Sequence, residues 1–320
     1  MKIIDAGYSI YPFAKSTDMV KRIEEIARVC YKSEDKITEV SAERMVNALV
    51  TNKHYAMLEH GYIVMELFKY GYLYINSLLQ HIKDTTGKVP KLNVTSVNYS
   101  GRAIVSGNMR AWLELMEFCK EYDYPIEEDI LKILLQKKYS PIFKEYIDCL
   151  TNHPAIIREL EPEDLTDKEK MVHSYISVKF IVDRGISHEI VRHRDASFAQ
   201  ESTRYCNYGK DGDVTFIRPC YFEEDTPEMD NWLDSCMRSE KDYLYFLETG
   251  RTPQEARGVL HTSVKTEVVM TATPMEWIHF CELRALGVTG KPHPQMEEVA
   301  IPLLANFLDL YPKLFMGVVE

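Results

Sequence analysis

The sequence has little positive charge for its length, and it lacks long apolar runs. Its 38 lysines and arginines stand against 49 aspartates and glutamates, so the formal net charge is -11. Broad contact with a nucleic-acid backbone needs a basic face and is not expected here. No window approaches the roughly 20 apolar residues of a membrane span, and the first residues lack the apolar run and cleavage site of a signal peptide. We therefore expect a protein without membrane segments.

Cysteine is sparse and irregularly placed. The seven cysteines form no C-x-x-C pair, which argues against a zinc site and against a disulfide framework. Reduced thiols in the cytoplasm fit this pattern best. Hydrophobic residues make up 45% of the 320 residues and charged residues 27%, an ordinary globular composition that can bury a sizeable core.

The densest chemistry lies between residues 192 and 205, which read RHRDASFAQESTRY. Three arginines, one histidine and three hydroxyl side chains fall within this stretch: Arg192, Arg194, Arg204, His193, Ser197, Ser202 and Thr203. Guanidinium groups grip phosphates and carboxylates in a bidentate way, and nearby hydroxyls complete such a grip. A cationic segment in an acidic chain therefore predicts binding of a small anion. The structural alternative is an exposed helix end whose arginines pair with nearby acids.

The order Arg-His-Arg, seven residues, then Ser202 resembles the R-H-R-x7-S motif of the flavin-dependent thymidylate synthases. The resemblance continues into the following Arg204 and Tyr205. Three later segments are similar to family segments in the same order, and they contain Arg257, Arg284 and His293. Upstream, His54, Glu59 and His60 resemble a segment that the family links to flavin and folate. The resemblance covers roughly residues 1–68 and 173–312.

This resemblance implies methylation of dUMP to dTMP, with FAD as cofactor, NADPH and methylenetetrahydrofolate as co-substrates, and a homotetramer. It implies an α/β (α+β) fold with a mostly antiparallel sheet flanked by helices. Eight residues are candidate dUMP ligands: Glu189, Arg192, Gln200, Glu201, Ser202, Arg204, Arg257 and Arg284. Seven are candidate FAD ligands: His54, Glu59, Arg192, His193, Arg194, His279 and His293. The candidate catalytic residues are Arg284, as a cation at the uracil carbonyls, and Ser202, as a positioning hydroxyl.

Residues 70–170 carry little of the resemblance. We interpret residues 1–320 as a single domain in which 70–170 form a mostly helical insertion. Helices are expected over 72–82, 108–121, 126–137 and 141–150, whereas 98–102 and 106–108 are rich in turn residues and predict a loop.

Two other functions are alternatives to the thymidylate synthase interpretation. His188, Glu189 and His193 resemble the H-E-x-x-H motif of zinc hydrolases, but these histidines are five positions apart. On one helix they would point roughly 140° apart, so a shared metal is disfavoured. The other alternative is a nucleic-acid or nucleotide-binding protein that uses the Arg192–Arg204 cluster.

Overall fold

The computed structural model describes residues 1–67, 71–97, 102–124, 128–149 and 157–318. The strands, in chain order, are β1 (Lys2–Ile4), β2 (Gly7–Tyr11), β3 (Tyr62–Leu67), β4 (Leu92–Val97), β5 (Arg102–Asn108), β6 (Ile157–Glu159), β7 (Ile176–Asp183), β8 (Ser197–Gln200), β9 (Thr215–Ile217) and β10 (Lys265–Ala272). The α-helices are α1 (Met19–Tyr31), α2 (Ser41–Thr51), α3 (Gly71–Thr86), α4 (Met109–Glu121), α5 (Glu128–Leu134), α6 (Ser140–Phe143), α7 (Asp167–His173), α8 (Arg184–Ile190), α9 (Pro227–Glu248), α10 (Pro253–Ala256), α11 (Pro274–Arg284), α12 (Pro294–Leu310) and α13 (Pro312–Phe315).

The chain folds into two compact units. The first unit comprises Met1–Pro12, Ala27–Glu34 and Ile176–Glu320. The second comprises Phe13–Ile26 and Asp35–Tyr175. None of the helices in the described ranges is long and apolar enough to cross a membrane.

The first unit is built on an antiparallel sheet in the order β2-β7-β10-β8, and β1 pairs in parallel with β9 outside it. Every second residue of β7 from Ile176 is buried and apolar, which is the period that places side chains on one sheet face. Phe180 lies opposite Val268 of β10, and its ring centroid is 6.3 Å from that of Trp277 in α11. The expected mostly antiparallel α/β fold is confirmed.

Capping residues set the start of the helices that hold the candidate site. Asp183 ends β7, and its Oδ1 accepts the N–H of Ile186 at 2.7 Å, so α8 begins at once. Thr252 and Glu255 form the predicted capping box of α10, directly before Arg257. Thr273 accepts the N–H of Glu276 and caps α11, which ends at Arg284.

The second unit contains its own antiparallel sheet, in the order β4-β5-β3-β6. β3 lies at its centre, and the predicted helices at 72–82 and 108–121 are observed as α3 and α4. The loop predicted at residues 106–108 is wrong, because these residues end β5 and pair with β3 and β4. Residues 98–101 of the same predicted loop lie outside the described residues. The 70–170 segment therefore contributes strands as well as helices.

Candidate functional site

The Arg-His-Arg sequence forms a turn between a helix and a strand of the first unit. α8 ends at Ile190, residues 191–196 turn, and β8 then pairs with β10. The side chains of Arg192 and Arg194 are exposed. Neither makes an ion pair with an acid in the described part of the chain. The structural alternative, in which the arginines pair with nearby acids, is therefore not observed for these two residues.

Arg284 meets this turn from α11. Its Nη1 donates to Glu189 Oε2 at 2.9 Å, its Nη2 donates to the Glu189 carbonyl at 3.3 Å, and its Nε donates to His193 Nε2 at 3.3 Å. A guanidinium carries five N–H groups, and three are used here. One N–H on each terminal nitrogen remains for a ligand.

His193 is buried beside this guanidinium. Its ring centroid lies 4.9 Å from that of Phe280 and 6.0 Å from that of His279. Burial, with the nearby Arg284 and His279, lowers the pKa of His193 to about 4. The ring is therefore neutral at pH 7, and because Nε2 accepts a hydrogen bond, its proton sits on Nδ1.

A second cationic feature is a cavity of about 310 Å³ in the first unit. Its lining includes Arg184, His188, Arg257, His261 and Thr203, and no lining residue is acidic. Arg257 donates through Nη1 to the Thr203 hydroxyl at 2.9 Å, which ties the cavity to the motif segment. Such a donor set suits an anion such as a phosphate.

Two predicted nucleotide ligands, Gln200 and Glu201, bind other groups of the protein. Gln200 Nε2 donates to the Ser187 hydroxyl at 2.8 Å. Glu201 is fully buried, with Oε2 3.0 Å from Lys265 Nζ and Oε1 3.2 Å from Lys32 Nζ. Their roles in ligand binding remain predictions.

The end of the motif is more open. Ser202 is half-buried, and its hydroxyl accepts the main-chain N–H of Arg204 at 3.3 Å. The Arg204 guanidinium is exposed and lies 5.4 Å from the ring centroid of Tyr205. The Ser202 N–H donates to the Cys30 carbonyl at 3.0 Å, so the end of α1 fixes the backbone here.

The two histidines of the C-terminal segments are placed differently. His279 is exposed on α11, with Nδ1 3.9 Å from Glu282 Oε2. His293 caps α12 by accepting the N–H of Gln295 on Nδ1 at 3.2 Å, and its ring packs edge-on against Tyr221. The capping bond leaves Nε2 of His293 as the nitrogen that can serve a ligand.

The remaining candidates, His54 and Glu59, belong to the second unit. Glu59 Oε1 lies 2.7 Å from Arg110 Nη1, and Arg110 Nε also donates to Glu114 at 2.7 Å. Glu59 and Arg110 line a cavity of about 720 Å³ within this unit. Arg110 belongs to the 70–170 segment, so that segment orients a residue that the resemblance assigns to flavin.

Sequence reasoning missed several of these side chains as site residues. Thr203 lies inside the motif segment, and the sequence marks it only as one of the hydroxyl residues there. Arg184, His261 and Arg110 stand in no motif, and no pattern in the sequence marks them. The alternative metal site is not supported by the geometry: in the described ranges no three His, Cys, Asp or Glu side chains are grouped to hold a metal.

Fold and site together define an α/β protein with an arginine-rich turn between α8 and β8. The family model for thymidylate synthase complementing protein matches residues 164–313. The flavin-dependent thymidylate synthase of Pyrococcus furiosus is 30% identical over 194 residues, 60% of this chain and 70% of that protein. The chain belongs to the flavin-dependent thymidylate synthase family.

Other similarities are more restricted. The Thermococcus kodakarensis member is 36% identical over 103 residues, which are 32% of this chain. The match spans 42% of that relative's length. A crystal structure of the UMP/dUMP methylase PolB from Streptomyces cacaoi, bound with 5-Br dUMP, is 13% identical with a TM-score of 0.44. That alignment covers 100% of this chain and 97% of PolB.

Proposed function

We propose that the chain methylates dUMP to dTMP, with methylenetetrahydrofolate as carbon donor, NADPH as reductant and FAD as cofactor. The observation that carries the proposal is the placement of Arg284 at the arginine-rich turn, with two N–H groups left for a ligand. Carbon 5 of uracil is a poor nucleophile. A fixed cation at the uracil carbonyls would stabilise the negative charge that develops in the ring.

The nucleotide phosphate would bind to the cationic groups on the other side of the motif. Arg257 and Arg204 offer guanidinium donors, and the Ser202 hydroxyl would orient the phosphate. The acid-free cavity beside Arg257 and Thr203 supports this placement. Arg192 would bridge the nucleotide and the cofactor, while Gln200 and Glu201 would shape the pocket wall.

The residues of the turn also suit an anionic cofactor. Arg192 and Arg194 are exposed cations without acidic partners in the described ranges, and a reduced flavin is anionic. With His193, His279 and His293 they would hold FAD, which supplies hydride transfer when bound. The proposal extends to His54 and Glu59 as further FAD contacts, to a homotetramer and to a cytoplasmic location.

Release of tritium from carbon 5 of labelled dUMP tests this function. Flavin-loaded protein with methylenetetrahydrofolate and NADPH should release tritium and form dTMP. Omission of the folate should stop dTMP formation. Flavin-loaded protein that binds dUMP yet forms no dTMP under these conditions would refute the proposal.

A further inference from the structure

Arg284 is held by one short segment of chain at all three of its nitrogens. Glu189 supplies two acceptors, its carboxylate and its main-chain carbonyl, and His193 supplies the third. A planar guanidinium that is bonded at three nitrogens cannot rotate about its long side chain. Its two remaining N–H groups therefore point in a fixed direction.

The Glu189 carboxylate is not placed to stabilise its own helix. It lies in the last turn of α8, where the helix dipole disfavours a negative charge. Its carbonyl also accepts the N–H of Arg192 at 3.2 Å, so the same residue shapes the motif turn and binds Arg284. Among the residues that the structure describes, the Glu189 carboxylate forms one ion pair, with Arg284. A direct bond from Glu189 to the nucleotide would have to use the other carboxylate oxygen, because Oε2 already accepts from Arg284.

His193 completes the arrangement as a neutral acceptor. A protonated ring would present an N–H group to the Arg284 Nε–H and place two positive charges together. Its burial and the Phe280 and His279 rings beside it keep Nε2 free of a proton. His193 thus fixes the Nε end of the guanidinium, while Glu189 fixes the other end.

We infer that Glu189 and His193 are positioning residues that aim Arg284 at its ligand, and that Glu189 does not itself bind the nucleotide. This inference rests on the proposed function, in which Arg284 contacts the uracil ring. It assigns Glu189 a role different from the direct dUMP contact that the family resemblance implies.

A double-mutant cycle separates the two roles of Glu189. In flavin-loaded protein, Glu189→Ala should lower kcat by about 10-fold to 100-fold, the cost of a misplaced catalytic group. The double variant Glu189→Ala with Arg284→Ala should be no slower than Arg284→Ala alone, because the two residues act as one unit. Glu189→Gln keeps an oxygen that can accept from Nη1, and it should stay within about threefold of the parent.

Two further variants complete the design. Glu248→Ala removes an exposed carboxylate from the last turn of α9 and serves as the matched control, with unchanged rates. His193→Phe keeps the buried ring but removes the acceptor. Compared at equal flavin content, its effect on dUMP affinity should vanish when Arg284 is absent. Arg284→Lys, which lacks the fork, replaces Arg284→Ala in the cycle if the alanine variant does not fold.

The same cycle is measured on dUMP affinity by calorimetry, which needs no turnover. Effects of Glu189→Ala and Arg284→Ala that multiply would mean that Glu189 acts separately, and they would overturn the inference. An unchanged kcat and affinity in Glu189→Ala would overturn it as well. If the parent protein forms no dTMP, the proposed function fails, and the affinity cycle still decides whether Glu189 acts through Arg284.

Discussion

Lys265 Nζ lies 3.0 Å from Glu201 Oε2, and both side chains are almost completely removed from solvent. Lys265 also bonds Glu267, whose second oxygen lies 3.3 Å from Lys179 Nζ. Burial alone would lower the pKa of Lys265, but Glu201 and Glu267 outweigh it and raise that pKa. Lys265 therefore stays charged beside Glu201 of the motif segment. We call Glu201, Lys265, Glu267 and Lys179 the charge row.

Replacing Lys265 with Met should destabilise the protein strongly, because the buried Glu201 side chain would lose one of its two lysine partners. Loss of one partner of a buried ion pair costs about 3–5 kcal/mol, and Lys32 at 3.2 Å places the expected loss at the lower end. Urea denaturation of the two proteins measures the difference. Lys179→Met, at the more exposed end of the row, should cost less than about 1 kcal/mol. Equal losses in the two variants would contradict this account of Glu201.

The sequence predicted the parts of the site that depend on local signals. The Thr252–Glu255 capping box and the Thr273 cap are visible as spacings that predict the starts of α10 and α11. The bonds of Arg284 were not predictable, because Glu189 lies 95 positions away and only the fold joins them. The strands β4 to β6 were missed as well. β5 and β6 pair with β3, which is distant in sequence, whereas β4 and β5 are neighbours in the chain, and the turn residues at 106–108 wrongly favoured a loop.

Protonation of His193 should make the protein less stable in acid. The folded-state pKa of about 4 lies below the ordinary value of roughly 6.5, so the unfolded chain binds more protons between these values. This contribution is fully present above pH ~6.5 and is lost as the pH falls toward 4. Unfolding of the parent and of His193→Phe, compared from pH 7 to 4, should differ in slope, with roughly 1–3 kcal/mol lost by the parent alone.

His173 provides the internal reference for that comparison. Burial lowers its pKa to about 4 as well, and its ring bonds the hydroxyls of Thr95 and Ser106 in the second unit. It contributes the same pH dependence to both proteins, so it cancels in the difference. Identical pH slopes for parent and His193→Phe would show that His193 titrates normally in the folded state.

Replacing Arg204 with Lys should weaken dUMP binding even though the charge is kept. Arg204 is exposed, and within the described ranges its guanidinium contacts the Tyr205 ring and pairs with no acid, so its planar fork is available for a phosphate. The expected loss is about 1–3 kcal/mol, as for a charge-assisted hydrogen bond. Calorimetry measures it, with Arg251→Lys, an exposed arginine 3.8 Å from Glu255, as the control. Unchanged affinity in Arg204→Lys would remove Arg204 from the nucleotide site.

Removing the Arg110 side chain should loosen the cofactor if Glu59 contacts FAD. Arg110 holds the Glu59 carboxylate at 2.7 Å, and an Arg110→Leu variant frees that carboxylate to move. Flavin retained after dialysis should fall several-fold, whereas Lys83→Ala, in the last turn of α3, should retain as much as the parent. Full flavin retention in Arg110→Leu would mean that Glu59 needs no such support or does not contact FAD.

Five of the cysteine thiols are poorly suited to act as nucleophiles. Burial raises the pKa of Cys30, Cys236 and Cys281 to about 12. The pKa of Cys206 is raised by burial and by Glu201, and that of the exposed Cys220 rises to about 11 through burial and Glu298. A thiolate, not a thiol, attacks carbon 6 of a pyrimidine, so these groups remain in the unreactive form at pH 7.

The uracil ring could be activated electrostatically by Arg284 or covalently by a cysteine. The two mechanisms predict that different variants are inactive. Arg284→Ala should reduce turnover by ~10²-fold or more, as for loss of an oxyanion-hole donor. Each of the seven Cys→Ala variants should retain most activity, including Cys206→Ala, whose thiol lies closest in sequence to the motif. Tritium release measures all eight, and denaturing mass spectrometry checks for a covalent nucleotide adduct. A cysteine variant that folds, binds FAD and yet forms no dTMP would favour the covalent route over Arg284.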